Sequence, residues 1–168
     1  MASRLNSMLE VTEATFAADW DVVPASTFAG KPEFLALAGE QRDVGLPMIN
    51  DVLMPLFSID RKEMIKATIG QEVVFALLDV TGADFLLIVY SEWTLKGGSF
   101  IPTNKAMTKN VFSIYDSAGE KIFKVRLDKV GKKTLGAMGR VAVDANSIDQ
   151  WSNSYNESVV AMYAGRKK

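Results

Sequence analysis

Residues 110–128 read NVFSIYDSAGEKIFKVRLD. Two strand-like runs flank the turn residues Asp116-Ser117-Ala118-Gly119, which is the pattern of a β-hairpin. The second run alternates, with Phe123, Val125 and Leu127 on one face and Lys124, Arg126 and Asp128 on the other. One side of that strand therefore meets a core and the other meets water. Upstream, residues 84–94 read DFLLIVYSEWT. The apolar run from Phe85 to Tyr90 has no alternation, which predicts a strand covered on both faces and central in its sheet.

Helical spacing surrounds this strand-rich stretch. Leu5, Met8, Leu9, Thr12 and Phe16 predict an opening helix. Residues 20–24 read as a short strand closed by Pro24, and residues 31–41 as a short helix with Pro32 in its first turn. Residues 45–57 carry Pro47 and Pro55, so they cannot form one continuous helix. They read as a helical turn over 48–53 followed by an extended piece. Asp60 and Glu63 form a variant capping box that starts the next helix at Arg61. Its stripe is Met64, Ile65, Ile69, Val73, Ala76 and Leu77, with Gly70 as an interior weakness and Gly82 as a left-handed cap. Residues 95–109 read as a long loop around Gly97-Gly98 and Pro102, and residues 140–144 as one more short strand. The last helix starts near Asn146 or Ser147, buries Ile148, Trp151, Tyr155, Val159 and Met162, and ends at Gly165. Helices lead and strands cluster late. The expected fold is α+β, a small mixed or antiparallel sheet with helices packed mainly on one face. It forms a single domain over residues 1–168, with 165–168 as a frayed tail.

Composition narrows the chemistry. The 168 residues include no histidine and no cysteine. That removes the commonest general base near neutral pH, every thiolate, every disulfide and the usual zinc ligands. Neither a metal nor a cofactor is expected. Net charge is −1, from 19 basic and 20 acidic residues. The dense basic clusters, Lys129, Lys132 and Lys133 and the tail Arg166, Lys167 and Lys168, read as solvated surface. Nucleic acid is therefore not an expected partner. No apolar run reaches the roughly 18 residues of a membrane helix, and residues 1–19 do not resemble a signal peptide.

Each candidate for chemistry has a plainer reading. Asp79 and Asp84 flank a helix-to-strand junction and could share a proton or a cation, but turn and cap residues are the common occupants there. Gly131-Lys132-Lys133-Thr134 resembles a phosphate loop without its upstream glycine spacing. Residues 136–140, GAMGR, read as a flexible turn. The hydroxyls of Ser99, Thr103, Thr108 and Thr134 have no histidine to activate them, and no serine–lysine motif sits on a helix. Glu92 beside Trp93 is the most suggestive acid for carboxylate hydrolysis. Asn156-Glu157-Ser158 matches a glycosylation sequon on a helix.

The stronger signal is apolar. Leu46, Met48, Ile49, Leu53, Met54 and Phe57 crowd the proline-broken segment, and Phe100 and Ile101 occupy the middle of the expected loop. Methionine-rich apolar surfaces adapt to partners, so these eight residues are the candidate partner surface. The alternative is that they simply cover the sheet.

The order of a helix ending in Thr81-Gly82-Ala83-Asp84, the strand FLLIVYSEW, the turn Asp116-Ser117-Ala118-Gly119 and a helix around Trp151 resembles a known group. The group is the α/β domains of Gram-negative periplasmic lipoproteins: activators of penicillin-binding proteins, the curli secretion lipoprotein and the N-terminal domain of the Tol-system propeller protein. The resemblance spans residues 61–164. The usual opening strand and the lipid-bearing cysteine are missing. The resemblance implies a non-enzymatic, periplasmic envelope domain that docks an envelope protein and meets the membrane only through a removed lipid anchor. Two other expectations stand beside it. One is a phage virion or other assembly component. The other is a small-molecule-binding domain or carboxylate-based hydrolase, which requires a deep pocket at Glu92 or Asp84.

Overall fold

The computed structural model of the chain describes residues 2–39, 66–98, 103–137 and 145–166. In order these form α1 (Ala2–Phe16), a 3-10 turn (Ala25–Thr27), α2 (Pro32–Gly39), α3 (Gln71–Thr81), β1 (Leu86–Gly97), β2 (Thr103–Tyr115), β3 (Lys121–Ala137) and α4 (Ala145–Arg166). The strands make an antiparallel sheet in the order β1-β2-β3, and the sheet packs against helices, so the fold is α+β. Two compact units are present: Met1–Asp19, Ser91–Asn110 and Arg126–Lys168 form unit 1, and Trp20–Tyr90 and Val111–Val125 form unit 2. Each strand gives residues to both.

In unit 1, α1 packs along α4. Met8, Thr12 and Phe16 recur at four-residue spacing on α1 and are buried. Trp151, Tyr155, Val159 and Met162 form the buried stripe of α4. Full burial of side chains such as Val159 and Met162 stabilises by about 1.5–3 kcal/mol each. Phe16 meets Tyr163 edge-on, with ring centroids 5.4 Å apart. The Tyr155 and Thr12 hydroxyls share a hydrogen bond of 2.9 Å. Burial pushes the Tyr155 phenol up to about 12, with the Thr12 hydrogen bond acting the other way.

In unit 2, Phe34, Ile69, Val74, Leu77, Leu86 and Tyr115 form the core, flanked by Phe28, Leu37, Val73, Leu78 and Ile88. This cluster draws α2, α3, β1 and β2 together. The Tyr115 hydroxyl accepts from the Ile69 N–H at 3.1 Å and donates to the Ala67 carbonyl at 3.3 Å, fixing the turn before α3. Ala67 there takes a left-handed φ of 47°, a conformation a side chain rarely adopts. The Lys31 amine donates to the Val80 carbonyl at 2.7 Å, a cation placed on the last turn of α3. Gly82 caps that helix at φ 68°, as its position predicts. The hairpin turns at residues 116–119 as expected, with Asp116 Oδ1 accepting from the N–H groups of Ala118 and Glu120 at 3.0 and 2.9 Å.

Five expectations require correction. β1 is an edge strand, and β2 is central. Residues Asn110 to Tyr115 of β2 are all buried, whereas most of β1 is only half-buried. The unbroken apolar run of β1 therefore marks partial cover on two sides and not a central place. Residues 95–109 are not a long loop: β1 runs through Gly97 and β2 begins at Thr103, so the turn signals at Gly97-Gly98 and Pro102 mark a much shorter connection. Helix α3 begins at Gln71 and not at Arg61. Gly70 is its extended N-cap and not an interior weakness, and Ile69 is buried before the helix starts. Residues 20–24 form no strand; Trp20 instead meets Phe85 edge-on at 5.3 Å. The last helix continues through Gly165 to Arg166. The capping box at Asp60 and Glu63, the turn over 48–53 and the strand at 140–144 lie outside the described residues.

Two predictions follow from these contacts. Gly119 has φ 77°, and a Cβ there would sit 2.8 Å from Gln71 Cγ and 3.2 Å from Phe75 Cε1, whereas a Cβ on Gly82 meets nothing within 4 Å. Gly82→Ala should cost about 1 kcal/mol, from the left-handed conformation alone. Gly119→Ala should cost clearly more in urea denaturation, and equal losses would contradict the packing of the turn on α3. The second prediction concerns pH. An unfolded tyrosine ionises near pH 10, while buried Tyr155 keeps its proton to about 12. Over that interval the unfolded chain binds fewer protons, so stability is intact below about pH 10 and falls as pH rises toward 12. Tyr155→Phe should flatten this decline in a series of urea titrations.

Candidate functional site

The central strand of unit 1 is organised by one buried amide. Asn110 Oδ1 accepts from Ser91 Oγ of β1 at 2.7 Å. Asn110 Nδ2 points at Ser158 Oγ of α4 (2.9 Å), Thr108 Oγ1 (3.0 Å) and the Leu127 carbonyl of β3 (3.3 Å). Its two hydrogens are thus shared among three acceptors. Ser158 in turn donates to the Ser154 carbonyl at 3.0 Å. The Trp93 indole N–H donates to Ser91 Oγ at 3.2 Å, and its ring stacks on Trp151 at 6.2 Å with 1° between planes. The Trp151 N–H reaches the Thr94 carbonyl at 2.8 Å. One side chain therefore ties both neighbouring strands and a helix to β2, with its polar atoms satisfied.

The same contacts fix the register. Ser91 lies opposite Asn110, and Glu92 lies opposite Lys109, whose amine is 3.1 Å from Glu92 Oε1. The Gly98 N–H to Thr103 carbonyl bond of 2.8 Å continues that register. Ser91, Trp93 and Asn110 face α4, so their alternate neighbours face away from it. That outer face carries Glu92, Thr94 and Lys96 on β1 and Lys105, Met107 and Lys109 on β2. On β3 the Cβ direction of Gly131 meets Ala106 and Gln150 on the α4 side, so by alternation Leu127 and Lys129 turn toward α4, and Arg126 and Asp128 join the outer face, where the Glu92 charge acts on Arg126. Lys96, Arg126 and Asp128 are exposed and the other five are half-buried. Three lysines and Arg126 share the face with Glu92 and Asp128, although the whole chain has net charge −1. Lys96 and Lys105 make no ion pair among the described residues.

The acids that the hydrolase alternative requires are placed differently. Glu92 stands in the middle of an edge strand, with its side chain 41% exposed and paired to Lys109. Such a surface pair contributes at most about 1 kcal/mol. Asp84 is exposed in the bend after α3. Asp79 is also exposed and lines an open hollow of about 380 Å³ with Lys31, Glu33 and Val80. Neither Glu92 nor Asp84 is shielded from water. Among the described residues no three acidic side chains are grouped to hold a metal ion, and no helix is long and apolar enough to cross a membrane.

Gly131-Lys132-Lys133-Thr134 lies within β3, so the phosphate-loop resemblance is overturned by an extended backbone. Residues 136 and 137 also belong to β3, while 138–140 lie outside the described residues. Lys132 is 88% exposed and 3.6 Å from Glu157, a solvated pair. Thr108 is buried against Asn110, which removes its hydroxyl from chemistry. At the sequon, Asn156 Oδ1 is buried without a partner and Ser158 is wholly buried, so that site is not presented to solvent.

The eight residues chosen as a partner surface (Leu46, Met48, Ile49, Leu53, Met54, Phe57, Phe100 and Ile101) lie outside the described residues. The lysine face was not foreseeable as a cluster. Its members come from three strands and meet only once the register is known. The period-two spacing of Lys105, Met107 and Lys109 was the one local signal. In unit 2, Lys66, Lys121 and Lys124 also gather: burial first, then the Lys121 and Lys66 charges, lower the Lys124 amine. There Lys121 is engaged with Thr68 and lies 5.3 Å from the Tyr115 ring centre. Compared with known protein families and with curated proteins, the chain matches none.

Asn110→Ala should cost about 3 kcal/mol in urea denaturation, because Ser91, Thr108 and Ser158 lose a buried partner together. A loss below about 1 kcal/mol would show that the network does not organise the unit.

Proposed function

We propose that this chain is a non-enzymatic domain that acts by protein contact in a bacterial envelope. The observation that carries this reading is the half-exposed face of β1 and β2 in unit 1, where Lys96, Lys105 and Lys109 surround Met107. Apolar contact area ringed by polar groups is the make-up of a protein interface. The chain supplies no imidazole and no thiol, and Glu92 is tied to Lys109 at the surface, which favours binding over catalysis. The periplasmic setting rests on the resemblance to lipoprotein α/β domains alone.

The test is site-specific photocrosslinking in the native host. A benzophenone amino acid at Met107 should give protein adducts on irradiation, while the same group at exposed Asn153 on α4 should give few. An absence of adducts at Met107 would overturn the reading. A dominant adduct of twice the chain mass would replace it with self-assembly, as for a virion component.

A further inference from the structure

We infer that two copies of this chain pair along the β1 edge of unit 1, antiparallel and about a two-fold axis at Thr94, a self-association that goes beyond the protein-contact reading and does not depend on it. β1 has one neighbouring strand, β2, so its other side ends the sheet. The Gly98 N–H to Thr103 carbonyl bond of 2.8 Å shows which groups face β2. In an antiparallel ladder every second residue bonds a given neighbour. Even-numbered residues of β1 therefore turn their N–H and C=O toward β2, and Ser91, Trp93, Leu95 and Gly97 turn theirs outward. Among the described residues no further backbone partner meets those outward groups. Such a row is a template for another strand unless charge, proline or a covering element blocks it. The opposite edge, β3, is blocked by charge: its stretch in unit 1 carries Arg126, Lys129, Lys132 and Lys133 against Asp128. Between residues 91 and 97 of β1 the charged residues are Glu92 and Lys96 alone.

Those two charges select the partner. Glu92 and Lys96 are of opposite sign and stand equally far to either side of Thr94. A two-fold axis at Thr94 sets Glu92 opposite the partner's Lys96 and Lys96 opposite the partner's Glu92, with the two Thr94 side chains facing each other. All three are non-hydrogen-bonded pairs, in which side chains approach most closely. The hydrogen-bonded pairs are then Trp93 with the partner's Leu95 and Ser91 with the partner's Gly97, all residues whose backbone groups already face outward. An axis at Glu92 would oppose two carboxylates, and an axis at Lys96 two ammonium groups. A second copy thus matches this edge in sign and in ladder phase at one register.

Leu95 adds an apolar contact at the same place. It lies in phase with Trp93 on the α4 side of β1, yet is 41% exposed. The pairing lays the partner's Trp93 against it. Trp93 is already held by its stack on Trp151 and its bond to Ser91, so little ordering remains to be done on association.

The experiment uses the full chain, which has no cysteine, so each single-cysteine variant carries one thiol. Across a non-hydrogen-bonded pair the Cα atoms are about 4.5 Å apart, within reach of a disulfide. Oxidised with diamide, Thr94→Cys should form a disulfide dimer at least about tenfold faster than Glu92→Cys, whose two thiols lie far apart along the seam. Asn153→Cys, exposed on α4, should be as slow as Glu92→Cys. Sedimentation velocity over a dilution series should show a dimer of the unmodified chain. Lys96→Glu should weaken it about tenfold, because like charges then stand opposed at two places. Glu92→Lys combined with Lys96→Glu should restore it to within about threefold. Lys132→Glu, on the other edge, should leave it within about twofold. Near-ultraviolet circular dichroism of the stacked tryptophans verifies that each variant is folded. A monomer at every concentration, with no excess of Thr94→Cys dimer over Asn153→Cys, overturns the pairing. So does a dimer indifferent to Lys96→Glu, or one in which Glu92→Cys links as fast as Thr94→Cys. Pairing at the edge leaves the Met107 face open, so adducts of Met107 with other proteins and the Thr94→Cys dimer can each fail without the other.

Discussion

The hydrogen-bonded amide of Asn110 is the constraint on which unit 1 depends. It sits wholly buried in the central strand, where an unsatisfied amide would cost several kcal/mol. Its partners come from β1, β3 and α4, so the amide is satisfied only when all three are in place. A one-residue slip of either neighbouring strand would turn Ser91 or the Leu127 carbonyl away and strand the amide. The network thus selects one register as well as contributing stability. The Trp93–Trp151 stack and the Trp151 bond to Thr94 hold α4 to β1 beside it.

Register has a consequence on the opposite side of the strands. Side chains alternate, so fixing Asn110 toward α4 fixes Lys109 and Met107 away from it. The basic outer face is then a product of the buried polar one. Unit 2 is built differently. Its core is apolar, and its polar tyrosine, Tyr115, spends its hydroxyl on the turn at 67–69. Cation, turn and helix cap there serve local closure: Lys31 on Val80, Asp116 on its own hairpin, Gly82 behind α3.

What could be read in the chain follows the physical locality of each signal. The hairpin was legible because Asp116 and Gly119 act within a few residues and because KIFKVRLD alternates without interruption. The first and last helices were legible because Met8, Thr12 and Phe16, and Trp151, Tyr155 and Val159, repeat at helical spacing. Strand order was not legible. Burial of β2 is carried partly by Thr108, Asn110 and Ser113, polar residues that look like surface until their hydrogen bonds are seen. The start of α3 was misjudged because Ile69 continues the apolar stripe although its N–H is committed to Tyr115. The lysine face depends on three strands separated in sequence, so no local pattern could assemble it.

The buried Asn110 amide as the setter of register in unit 1 is tested most directly by amide hydrogen exchange of Asn110→Ala beside the wild type. Protection lost along residues 91–97, 103–110 and 126–131, with protection at 111–115 of unit 2 retained, is the predicted result. Unchanged protection along those three stretches would contradict it.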